Sequence, residues 1–139
     1  MNPTLFRLLV ILAIALPLVG VSLDLALPDL ISPGLSQAME AEPTPDALTS
    51  ATGLAFLGAW ALSCIAGVVG LLLFRAWART LTLWLTVLGL AIYPLLGSSV
   101  YSWLSLGLTE TGAILWGAVL AFAYTEPVKS YFQPRAHDA

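Results

Sequence analysis

Residues 51–79 read ATGLAFLGAWALSCIAGVVGLLLFRAWAR, and this stretch decides the fold. From Ala51 to Phe74 it carries no charge, and Arg75 and Arg79 then bracket a very short loop before apolar sequence resumes at Thr80. About 20 consecutive, mostly apolar residues match the hydrocarbon thickness of a bilayer. Two such runs joined by a tight basic loop predict a pair of membrane helices with the loop on the cytoplasmic side.

The rest of the chain agrees with a lipid solvent. Of 139 residues, 59% are hydrophobic and 9% charged, against roughly a quarter charged in soluble domains. The net charge of −3 comes with no basic stripe to neutralise phosphates, so no nucleic-acid partner is expected. The single cysteine, Cys64, lies inside the quoted run and reads as a small hydrophobe with no disulfide partner. His137 stands in the polar C-terminal tail, Met39 in a polar loop and Met1 at the start. Inward-facing ligands for haem or a metal are missing, so no cofactor and no metal are expected.

Working outward, the spacing predicts a bundle of four transmembrane helices in one membrane domain, residues 1–139, with both termini inside. The spans fall at about 5–23, 51–74, 80–99 and 106–125. The first holds no charge after Arg7 and has no small-x-small cleavage site just beyond Val21, so it reads as an anchor rather than a leader. The segment 24–50 carries Pro28, Pro33, Pro43 and Pro45 and five of the eight acids, with no lysine or arginine. Its scattered leucines predict short interfacial helical turns on the extracytoplasmic face. Ser32-Pro33 and Thr44-Pro45-Asp46 read as helix starts, the second opening the second helix. Pro94 predicts a bend near Tyr93. Gly112 to Tyr124 alone covers only about 20 Å at 1.5 Å per residue, so the last helix must begin near Leu106, drawing Glu110 into its first turn. The tail, 126–139, starts with a segment whose Val128, Tyr131 and Phe132 suit a membrane surface. Arg7, Arg75, Arg79, Lys129 and Arg135 all fall on one side of this arrangement, which sets that side as cytoplasmic and favours a bacterial inner membrane.

Small residues recur every fourth position in two helices: Ala55, Ala59, Ser63 and Gly67 in the second, and Ala113, Gly117 and Ala121 in the fourth. Close backbone approach at such residues drives association in lipid, so the two faces are expected to pair. Trp60 and Trp116 lie deep in their spans, each offset by one from its small-residue face. A buried indole N–H seeks an acceptor, for which Ser63 or a carbonyl freed by Pro94 serves; the alternative is a ring facing lipid or a partner.

Glu110 is the one acid expected to touch the hydrocarbon edge. In a first turn, capped by Thr109, it complements the positive helix end; its functional reading is a proton or cation contact. Tyr93, Ser98 and Ser99, with Tyr101, Ser102 and Trp103, form a polar and aromatic group that reads either as an interfacial belt or as the lining of a small cavity. Arg75, Trp77, Arg79, Trp84, Trp103 and Lys129 read as interface anchors. Catalytic residues are not expected: there is no nucleophile set, no metal spacing and no pair of intramembrane carboxylates. Gly67-Val-Val-Gly70 sits inside a span and reads as packing. The sequence therefore points to a non-enzymatic accessory subunit or assembly factor working through helix contacts with lipid and with a membrane-protein partner or itself. The rival is a homo-oligomeric channel or transporter for a small or hydrophobic molecule or lipid, against which the near-absence of polar rings in the spans speaks.

Overall fold

The computed structural model describes residues 1–27, 30, 31, 34, 37, 50–93 and 101–132, all in or beside helices. The element order is α1 (Pro3–Ala26), α2 (Ala51–Leu72), α3 (Ala76–Ile92), α4 (Trp103–Tyr124) and the short α5 (Val128–Tyr131). Helices α1, α2 and α4 are long and apolar enough to cross a membrane, and α3 is a shorter apolar helix. Among the described residues every regular element is a helix, consistent with a helical membrane bundle.

Local chemistry sets the helix ends. Asn2 caps α1, accepting from Thr4 N at 3.1 Å, with Pro3 in the first turn where its missing N–H costs nothing. Helix α2 starts at Ala51, and its cap is Ser50, whose Oγ accepts from Gly53 N at 3.0 Å. The expected starts at Ser32-Pro33 and Thr44-Pro45-Asp46, and the interfacial turns of 24–50, lie outside the described residues apart from a few isolated positions. Helix α2 ends in a Schellman motif. Arg75 N donates to Gly70 O at 2.8 Å and Phe74 N to Leu71 O at 3.1 Å, and Phe74 takes the left-handed position at φ 54° that glycine normally fills. The expected bend at Pro94 lies outside the described residues; α3 closes at Ile92 with Tyr93 as its cap.

Helix α4 begins at Trp103, three residues before the expected Leu106, because Ser102 supplies the cap. Its Oγ accepts from Ser105 N at 3.2 Å and donates to Asp24 Oδ1 at 2.5 Å, while Ser102 N donates to Asp24 Oδ2 at 3.3 Å. A carboxylate from the end of α1 thereby sits on the positive end of α4 and locks the two helices in register. Ser102→Ala removes both functions of the hydroxyl and is expected to cost about 1 kcal/mol, read as a lower unfolding midpoint in detergent; an unchanged midpoint would show that the link carries no weight.

Neighbouring helices run antiparallel. The most extensive contact joins α1 to α4, the next joins α2 to α3, and the two pairs touch each other sparsely. Between α1 and α4 the seam is Phe6, Val10, Ala13 and Gly20 against Ser105, Gly112, Val119 and Ala123, all buried. Pro17 lies inside α1 and frees the carbonyl of Ala13. Gly112 lies directly against both: a Cβ there would stand 2.5 Å from the Pro17 ring and 3.0 Å from Ala13 O. Between α2 and α3, Gly67 packs on Thr82 and Gly70 on Ala78 and Trp77.

The end bearing Met1 is closed by an aromatic cluster. Phe74 lies 5.6 Å from Phe6, 5.5 Å from Tyr131 and 5.3 Å from Phe132, centroid to centroid. Arg7 lies over the Phe74 ring at 5.1 Å and donates from Nε to Leu72 O at 3.0 Å, satisfying a terminal carbonyl of α2.

Candidate functional site

Because the α1–α4 and α2–α3 pairs meet only sparsely, a cleft of about 680 Å³ remains between them, with Leu18, Trp60, Cys64, Val69, Leu85 and Trp116 among its walls. That volume lies within the roughly 300–1,000 Å³ of small-molecule sites. Polar groups on its walls are turned into backbone or into each other. Thr82 Oγ1 donates to Ala78 O at 2.7 Å and Thr86 Oγ1 to Thr82 O at 2.8 Å. Trp116 Nε1 donates to Thr86 Oγ1 at 2.9 Å. The wall that remains is apolar.

This hydrogen bond places Trp116 between the helices, half-buried, with an acceptor that the sequence reading did not name. Ser63, named there as an acceptor, instead donates to its own Ala59 carbonyl at 2.8 Å. Trp60 is half-buried against Gly89, where a Cβ would stand 3.2 Å from its ring.

The two small-residue faces do not meet. In α2, Gly67 is buried and Ser63 half-buried, but Ala55 and Ala59 are exposed. In α4, Ala113, Gly117 and Ala121 are all exposed, and a Cβ at Gly117 would meet nothing within 4 Å. The partner of α4 is α1, through the neighbouring stripe described above.

Glu110 is not in a first turn and Thr109 is not its cap. It is exposed, seven residues into α4, about 10 Å along the axis at 1.5 Å per residue. Three, seven and eleven residues separate it from Ala113, Gly117 and Ala121, which puts the carboxylate and the small residues on one uncovered stripe.

Of the expected anchors, Trp77, Trp84 and Trp103 are exposed, Trp103 to 76%. Arg75 and Lys129 are exposed as well. Arg79 is half-buried: its guanidinium lies 5.3 Å from the Tyr124 ring and 5.4 Å from that of Phe132, and Nη1 donates to Ala123 O at 3.4 Å. Its Nε is shut off from solvent without a hydrogen-bond partner. Tyr93 is exposed; Ser98 and Ser99 lie outside the described residues, as do Arg135 and His137. No known protein family, curated protein or solved structure matches this chain.

Proposed function

We propose that the chain is a four-span protein of a bacterial inner membrane, with both termini cytoplasmic, that acts without catalysis as an accessory subunit or assembly factor of a larger membrane complex. The antiparallel order of α1 to α4 supports the four-span reading. So does the gathering at one end of Arg7, bonded to the end of α2, and Arg79, bonded to the end of α4; basic residues favour the cytoplasmic side.

The observation that carries the subunit reading is the stripe Glu110, Ala113, Gly117, Ala121, exposed along a helix long enough to cross the membrane. Small residues invite close helix approach, and an acid at membrane depth requires a partner group. The fitting occupant is a transmembrane helix that offers small residues to Gly117 and a hydroxyl, amide or cationic donor to Glu110.

The test is purification of the full chain from its native membrane in mild detergent. A partner at fixed stoichiometry in the parent, reduced at least fivefold by Gly117→Ile and by Glu110→Gln, is the expected result. A partner retained by both variants, or a symmetric homo-oligomer with no second protein, would overturn it, the latter in favour of a channel or transporter.

A further inference from the structure

The cleft and the basic end are adjacent. On α2 the cleft wall runs from Val69 to Trp60, about 14 Å of helix at 1.5 Å per residue, and begins about 5 Å from the last residue of that helix. One leaflet of a hydrocarbon core about 30 Å thick is about 15 Å. The cleft therefore has the length of a single acyl chain, laid along the helices in the half of the membrane nearest the basic end.

On α3 the wall starts at Thr82. Arg79 lies one turn earlier on the same face, and Thr82 Oγ1 is 3.1 Å from its carbonyl. Arg75, the cap of α3, is a further turn out and exposed. The positive charge here lacks a protein counter-ion: among the described residues, Arg7 and Arg79 bond only backbone carbonyls, and their guanidinium groups otherwise face rings. Among the described residues the Arg79 side chain makes one hydrogen bond, from Nη1 to Ala123 O, and its Nε is closed to solvent, so the rest of its Nη edge is what remains to meet a ligand. A guanidinium at a membrane surface with unmet donors is a receptor for phosphate oxygens.

We propose that the cleft between the α1–α4 and α2–α3 pairs holds one acyl chain of an anionic phospholipid, whose headgroup phosphate is met by Arg79 and Arg75. The apolar wall recognises the chain and the arginines recognise the charge. A neutral apolar molecule would leave the arginines unused, and a water-soluble phosphate would leave the cleft empty. The lipid uses a different face from the Glu110 stripe, so this site stands or falls independently of the subunit reading.

Native mass spectrometry of the full chain in detergent tests the site with dioleoyl phosphatidylglycerol, dioleoyl phosphatidylcholine and inorganic phosphate as separate probes. Retention of one phosphatidylglycerol at least tenfold above phosphatidylcholine, with no adduct from phosphate, is the expected result. The double variant Arg75→Gln, Arg79→Gln should remove the preference between the two lipids. Val68→Phe, which fills the cleft from its wall, should lower retention of both. Helical content by circular dichroism is checked for each variant, and Arg75→Gln alone, at an exposed position, is expected to weaken the preference severalfold if the double variant does not fold. Equal retention of the two lipids by the parent chain, an equal adduct from phosphate alone, or unchanged retention in folded Val68→Phe protein would overturn the proposal.

Discussion

Gly112→Leu is expected to prevent α1 and α4 from pairing and to leave little folded protein. The position has no room. A Cβ would stand 2.5 Å from Cδ and Cγ of Pro17 and 3.0 Å from the Ala13 carbonyl, and neither a proline ring nor a helix backbone moves aside as a flexible side chain does. Overpacking in a tight core costs roughly 1–3 kcal/mol for added methylenes; here alanine alone already demands a shift of the helix axes, and leucine demands their separation. Since α1–α4 is the most extensive helix contact, its loss removes the larger half of the bundle. Gly107 provides the control: it lies on the same helix, and a Cβ there would meet nothing within 4 Å. Unfolding midpoints in detergent should fall steeply for Gly112→Ala, stay near the parent for Gly107→Ala, and be unmeasurable for Gly112→Leu. Similar behaviour of the two alanine variants would show that the seam does not run where it is placed.

The helical membrane character of the chain was legible because it rests on composition and run length, which survive any error in packing detail. The packing faces were not legible from a fourth-residue spacing, and the helix period explains why. At about 100° per residue, each step of four advances about 40° round the helix. From Ala55 to Gly67 the stripe therefore drifts by about 120°, so Gly67 reaches the α3 contact while Ala55 and Ala59 remain outside. A seam that stays on one side alternates steps of four and three. Phe6, Val10, Ala13, Pro17 and Gly20 follow that alternation in α1, and Ser105, Thr109, Gly112, Trp116, Val119 and Ala123 follow it in α4. Both series are present in the sequence, and both end on the polar link, Asp24 with Ser102. Glu110 lies beyond the first turn of α4 for a separate reason. A minimum span length fixes the latest point at which a helix must start, not the earliest, and the Ser102 cap begins α4 well before that limit.

Phe132→Ala is expected to release the short helix α5 and to lower stability by about 3–5 kcal/mol, the usual range for a fully packed phenylalanine. Phe132 is 3% exposed. Its ring stands nearly perpendicular to that of Phe6 at 6.0 Å, packs edge-on to Phe74 at 5.3 Å, and lies under the Arg79 guanidinium at 5.4 Å. Removing it opens a cavity between α1, the α2–α3 turn and α5. It also strips away part of what holds Phe74 in the left-handed backbone region, a conformation that costs a residue with a Cβ roughly 1–2 kcal/mol. The ring of Phe74 must then either repack or let its turn relax toward an ordinary φ, which loosens the Schellman motif that closes α2. The expected readouts are a lower unfolding midpoint and faster tryptic cleavage after Lys129, an exposed residue in α5. Phe132→Leu fills most of the same space and should recover much of both. If alanine leaves midpoint and cleavage rate unchanged, the aromatic cluster does not hold this end of the bundle, and the turn at Phe74 must be held by its backbone hydrogen bonds and Arg7 alone.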